Sequence, residues 1–188
     1  MKIYITVILL ILGLVSQAQN FSNLEVRNMY FDGWEGQCGA LDLVKRFNDA
    51  NIINDALILA YLGAATTTLA NCKKFPTSKL SVFFEGKRML EDAIEMDPEN
   101  VEIRFIRYTI QTNIPGILNY DDMESDKKML MEYLRAKQKT STDVDLSQRI
   151  IEYLIEHGDL TNEEQSELNL INNKQLKTKQ ITFIKRLI

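Results

Sequence analysis

Few residues in this chain could do chemistry. There is one imidazole, His157, and there are two thiols, Cys38 and Cys72. A usual transition-metal site takes about four nitrogen or sulfur ligands, so a single histidine distant from both cysteines does not supply one. His157 sits one residue before Gly158, in the last turn of an expected helix, where a cation is stabilised by the helix dipole. No Gly-x-Ser-x-Gly, His-Glu-x-x-His, phosphate-loop or dinucleotide-binding string occurs, and each of those spacings is what its chemistry requires. The expectation is a protein without catalytic residues, metal or cofactor.

Carboxylates are the densest polar material. Glu91, Asp92, Glu95, Asp97, Glu99 and Glu102 form one run, and Asp121, Asp122, Glu124 and Asp126 a second. Neither has the alternating oxygen ligands and glycine of a calcium loop. Acids near helix starts offset the dipole, so the expected setting is solvated helix faces and helix N-termini. The competing reading is a small helical ligand-binding protein or hydrolase whose carboxylates meet across an internal pocket.

Two further groups are candidates for partner binding. Tyr30, Phe31 and Trp34 form an aromatic cluster beside Gly33 and Gly36; exposed, it would suit a binding hot spot, and otherwise it packs the first helix against the second. The last segment reverses sign: after Glu167 there are no acids, while Lys174, Lys177, Lys179, Lys185 and Arg186 accompany Phe183, Ile184, Leu187 and Ile188. A basic amphipathic helix of this kind fits an acidic partner groove or peripheral contact with an anionic membrane, with Lys177, Lys185 and Arg186 as contact residues. A dipole-matched helix docking its apolar stripe on the rest of the fold accounts for the same residues.

The positioning elements follow from composition and spacing. The chain has 188 residues with 22 Lys plus Arg against 26 Asp plus Glu, a net charge of −4, and 45% hydrophobic residues. Those are globular averages, which exclude a disordered or collagenous chain. Met1 and Lys2, the apolar run 3–15 and Ser16-Gln17-Ala18 have the three parts of a secretory signal. The run is too short for the roughly 20 apolar residues of a membrane span. Cleavage after Ala18 removes Lys2 and leaves one domain of 170 residues, 19–188, with a charge of −5. The mature chain is expected to have no transmembrane segment and to be periplasmic or secreted. An acidic, exported chain is a poor match for nucleic acid.

Export makes Cys38–Cys72 a possible disulfide. Helix counting opposes it: for two antiparallel helices turning near Asn51, the cysteines lie at levels about 12 Å apart, beyond the ~7 Å limit. Only a non-helical stretch, which Gly33, Gly36 and Gly39 can supply, closes that gap.

From residue 20 onward the apolar spacing is helical, with no sustained alternation. Helices are expected over 23–32, 39–48, 54–71 and 77–96; a fifth opens at Pro98, whose fixed φ suits a helix start, and a sixth is capped by Asp121 or Asp122. A seventh starts at Thr142, with Asp145 completing a capping-box-like pair, and ends at Gly158 in a left-handed stop. The last is opened by the Thr161/Glu164 capping box. The Ala- and Gly-dense third helix should be the most buried. Short loops between about eight helices describe stacked antiparallel hairpins in an all-α fold.

One hairpin carries a repeat signature. Gly86, Leu90, Ala93 and Pro98 follow one another at four, three and five residues, and Leu62-Gly63 precedes them. These resemble the small residue, large residue, alanine and terminal proline of the second helix of a tetratricopeptide repeat, and the Leu-Gly pair of its first. The match covers about 53–98 and continues to 120. Gly63 to Gly86 is 23 residues, about twice the usual spacing in that repeat. The signal segment with 59–65, 97–105 and 114–120 is similar to a family of small exported helical-repeat proteins. The resemblance implies a scaffold that binds a protein or peptide without chemistry, and it names no partner. On export, N-terminal sequencing of the mature protein is expected to begin at Gln19; a chain that retains Met1 would contradict the leader.

Overall fold

Eight α-helices and two short 3-10 turns, with no strand, make up the described residues of the computed structural model. Those residues are 22–33, 36, 38–49, 55–118, 120, 122–137 and 143–187, the backbone alone being described for 176–187. The signal segment and Trp34 lie outside them. The helices are α1 (Asn23–Phe31), α2 (Ala40–Asp49), α3 (Ala56–Thr68), α4 (Pro76–Met96), α5 (Val101–Gln111), α6 (Met123–Lys137), α7 (Val144–His157) and α8 (Asn162–Leu187). None is long and apolar enough to cross a membrane among the described residues.

Local chemistry sets most of the boundaries. Ser22 and Glu25 form a reciprocal capping box at α1, and Thr161 and Glu164 form the expected one at α8. Asp55 caps α3 through the amides of Leu57 and Ile58. Pro76 occupies the first turn of α4, where its missing amide costs nothing. Pro98 does not open the fifth helix: it lies in the turn after α4, and Asn100 caps α5 through Glu102 and Ile103. The cap of α7 is Asp143, whose carboxylate accepts from the Leu146 amide. Asp145 therefore belongs to no capping box. Gly158 ends α7 with extended backbone at φ −74°, not in the left-handed region.

Close approach of α3 and α4 explains the small residues between them. A Cβ at Gly86 would meet the Gly63 carbonyl oxygen and the Thr67 amide nitrogen at 2.5 Å, and one at Gly63 would meet Gly86 and Leu90 backbone at 2.8 Å. Such neighbours are backbone and cannot swing aside. α3 buries ten residues from Leu57 to Thr67, and α5 is buried as completely, from Glu102 to Gln111 with Arg104 half-exposed.

α5 divides the interior. Ile103, Ile106 and Ile110 join α1 to α4 in one apolar cluster, while Phe105 and Tyr108 join α6, α7 and α8 in another. Phe31 packs against both.

Cys38 and Cys72 are bonded, with Cα atoms 5.4 Å apart. The helix-level estimate fails because neither cysteine is inside an α-helix. Cys38 lies in the turn before α2, and Cys72 ends the 3-10 turn Leu69–Cys72 after α3. Gly36, at φ +74°, adopts the left-handed backbone that lets this turn fold back.

Gly86→Val is expected to destabilise the fold by about 2 kcal/mol, since the overpacking cost exceeds the few tenths gained in helix propensity. Gly116→Ala, where nothing lies within 4 Å, is the matched control. Thermal denaturation of both variants measures the difference, and equal melting temperatures would exclude the tight crossing.

Candidate functional site

The polar centre of the molecule begins on α1, where Val26, Arg27 and Tyr30 share the inward face. Arg27 is 2% exposed. Its Nε and Nη2 donate to the two oxygens of Glu102 at 2.8 and 2.7 Å, a bidentate pair that fits the planar guanidinium. Nη1 and Nη2 also donate to Asp143 at 3.1 and 2.8 Å, and Nη1 to Asp145 at 3.0 Å. From α3, the Tyr61 hydroxyl donates to Glu102 at 2.6 Å. Burial, and then the negative charge of Glu102, hold the Tyr61 hydroxyl well above its ordinary pKa. Burial works against the charge on Arg27, but its bonds to Glu102 and Asp143 prevail and raise its pKa.

Arg149 extends this cluster. It donates to Asp145 at 3.1 Å, to Asp32 at 2.6 Å and to Asn28 at 3.1 Å, with its guanidinium 5.3 Å from the Phe31 ring centroid. Two arginines thus clamp α1 across the starts of α5 and α7.

A second cluster sits on the neighbouring face of α5. Arg107 makes a bidentate pair with Asp126 of α6, both bonds 2.7 Å, and reaches Glu91 of α4 at 3.1 Å and Asp122 at 3.2 Å. Asp126 is fully buried and also accepts from Arg104 at 3.2 Å. Burial moves its carboxyl above the ordinary 3.8, against the downward pull of Arg107. Burial, followed by Glu91, raises the Tyr120 hydroxyl, and Lys87 stands 4.2 Å over the Tyr120 ring. Lys127, also buried, donates to the Asp159 carbonyl at 2.8 Å and ties α6 to the turn before α8.

These placements revise the sequence reading. Glu102 and Asp126 were expected on solvated faces; both are buried, because arginines from distant segments supply the charge that water would have supplied. Glu95 is exposed, as expected. Three acids do converge on one point, but the point is a guanidinium. No group of histidine, cysteine or carboxylate side chains is placed to hold a metal ion among the described residues.

Tyr30 is 7% exposed and packs 4.9 Å from Phe31 and 5.2 Å from Tyr61. Phe31 is half-buried and stacks on Phe105 at 5.6 Å. Both rings are core residues, held on α3 and α5 rather than offered as a rim. His157 ends α7 against the Tyr153 ring at 4.5 Å. Lys177, Lys185 and Arg186 fall within α8, and their side chains are outside the description.

Arg27 and Arg107 were missed by sequence reasoning. The available signal was their position inside otherwise apolar stripes, at Val26-Arg27-Tyr30 and Ile103-Ile106-Arg107-Ile110. Comparison of the chain with protein-family models, curated proteins and solved structures finds no match.

Replacing Glu102 by Gln leaves Arg27 short of a buried counter-charge. The expected cost is about 3 kcal/mol, a fall in Tm of roughly 6–12 °C for a domain of this size. Glu95→Gln is expected to change stability by less than about 0.5 kcal/mol. Calorimetry on the two variants separates the settings, and equal melting temperatures would contradict a buried pair.

Proposed function

We propose that this protein is an exported, non-enzymatic interaction module in which helical hairpins, stacked in a tetratricopeptide-like manner, present a helix to a protein or peptide partner. The observation that carries this reading is the length of α8. It has 26 residues, and α7, on which it folds back, has 14. The twelve-residue excess corresponds to about 18 Å of helix. α8 docks through its first half: Leu168 and Ile171 are buried with α6 and α7, and Glu167 pairs with Arg135 of α6 at 2.7 Å. The remainder carries Lys177, Lys179, Lys185 and Arg186 with Ile181, Phe183 and Ile184, a basic and apolar pattern suited to an acidic, amphipathic partner segment.

The carboxylate-pocket alternative loses support from the geometry of the acids. Glu102 and Asp126 each face arginine at hydrogen-bond distance, so their charge is committed to holding helices together. A general acid or base needs a carboxyl free to exchange its proton with a substrate. The tetratricopeptide-like reading draws on the Gly63–Gly86 crossing and the proline after α4, and the export reading on the leader and the bonded cysteines.

Cross-linked capture with residues 19–188, which hold every described helix, tests the reading. With Lys177, Lys185 and Arg186 changed to Glu, the captured envelope protein is expected to be lost while the melting temperature is unchanged. Recovery of the same protein by the variant would remove α8 as the binding element.

A further inference from the structure

A second surface, independent of α8, has its own composition. The turn before α4 and α4 as far as Arg88 contain Lys73, Lys74, Lys79, Lys87 and Arg88 against a single acid, Glu85, in a chain whose net charge is negative. Lys73, Lys74, Lys79 and Arg88 are exposed and enter no ion pair among the described residues. Elsewhere Arg27, Arg104, Arg107, Lys127, Arg135 and Arg149 are paired, and the other exposed cations outside ion pairs among the described residues, Lys45, Arg46 and Lys128, are not gathered around exposed aromatic rings.

Large apolar side chains are exposed among these free cations. Phe75, directly before α4, is 70% exposed, and Leu80 and Phe84 are 44% and 49% exposed. Leu80, Phe84 and Arg88 recur every four residues and so form one line along the helix. That line flanks the face that α4 buries through Phe83, Gly86, Leu90, Ala93 and Ile94, and the Phe84 ring rests 5.5 Å from that of Phe83. The disulfide fixes the turn that presents Phe75, since Cys72 is three residues before it.

We infer that this ridge is a docking surface for an anionic lipid bilayer. Its shape and its free cations together favour one occupant. A peptide bound through its side chains needs a groove with walls, whereas Leu80 and Phe84 stand on the outward side of a helix, with the protruding Phe75 at its end. A bilayer interface accepts such a ridge: the rings enter the headgroup boundary, and the lysine stems let the ammonium groups reach lipid phosphates. Four unpaired cations around the apolar line give the charge complementarity that an anionic leaflet requires. At physiological salt their attraction acts within about 8 Å, which leaves distant acids out of reach; the exposed Glu85 and Asp92 lie beside Arg88, so Lys73, Lys74 and Lys79 carry most of the attraction.

The test is co-sedimentation of residues 19–188 with vesicles of phosphatidylcholine alone and of phosphatidylcholine with phosphatidylglycerol. Binding is expected only to the second, and it should weaken with added salt. Lys73→Glu with Lys74→Glu should reduce affinity by at least about fivefold for each cation removed, and Phe75→Ser with Phe84→Ser should reduce it to the level of phosphatidylcholine alone. All four side chains are exposed, so circular dichroism and melting temperature should be unchanged. Failure to bind the anionic vesicles overturns the inference, as does binding that these variants retain. Binding that is instead lost on changing Lys177, Lys185 and Arg186 assigns the membrane contact to α8 and also overturns it. Retention of a soluble acidic protein through Phe75 and Phe84, without vesicle binding, shows a protein surface in its place.

Discussion

The bidentate bond between Arg27 and Glu102 is the constraint on which the arrangement of helices depends. It joins residues 75 positions apart, and the direct bonds of Arg27 to Asp143 and Asp145 add contacts across 116 and 118 positions. α1 has nine residues, too few to be helical alone in water. Its order comes from what it touches, and Arg27 touches the starts of both α5 and α7. Glu102, Asp143 and Asp145 all lie in or beside a helix's first turn, where acids offset the dipole. The same three carboxylates serve two helix ends and Arg27, with Asp145 also shared by Arg149, which is how a guanidinium can be buried without an uncompensated charge.

That economy also explains why α5 is buried on nearly every side. An amphipathic helix of eleven residues usually keeps one face in water. Here the polar face meets α6 through Arg107 and Asp126, and α1 through Glu102 and Arg27, so ion pairs cover what apolar packing does not. Two apolar clusters on either side of α5 are thereby held in one structure, with Phe31 in contact with both. Buried ion pairs seldom add net stability over well-packed apolar residues, but removing one partner is costly. An arrangement that separates either pair would strand a buried charge and is disfavoured for that reason.

What was legible in the sequence is what local rules determine. The all-α class, the order and approximate place of the helices and the Thr161/Glu164 cap follow from spacing and capping over a few residues, whereas the starts of α5 and α7 do not. Gly63 and Gly86 were legible as places where a neighbouring helix comes close, because only small residues admit such an approach; that they meet each other was not. Glu102 and Asp126 were not legible: an acid in the first turn of a helix has the same local sequence whether it faces water or an arginine from elsewhere. Tyr30 and Phe31 were open for the same reason, since Tyr61 and Phe105, against which they pack, are distant in the chain. The cysteine pair was misjudged by extending ideal helices through turns, when the bond depends on Cys38 and Cys72 both lying past helix ends.

The disulfide and the Arg27 cluster act on opposite sides of the same short segment. α1 is held at its inward face by Arg27, and the turn that follows it is held at Cys38 to the end of α3. Apolar packing holds the same helices as well, through Val26 and Tyr30 of α1 and Ala40, Leu43 and Phe47 of α2. Closing the 34-residue separation between the cysteines restricts the unfolded chain, a contribution of about 3–4 kcal/mol in the chain-entropy view. It requires no specific packing at the turn. The ion pairs, by contrast, require close geometry and add little until α5 and α7 are in place. The cross-link encloses α2 and α3, while the charges orient α1 on α5 and α7, so the two constraints divide the molecule between them. That division also accounts for a polar centre at the junction between the two halves of the core.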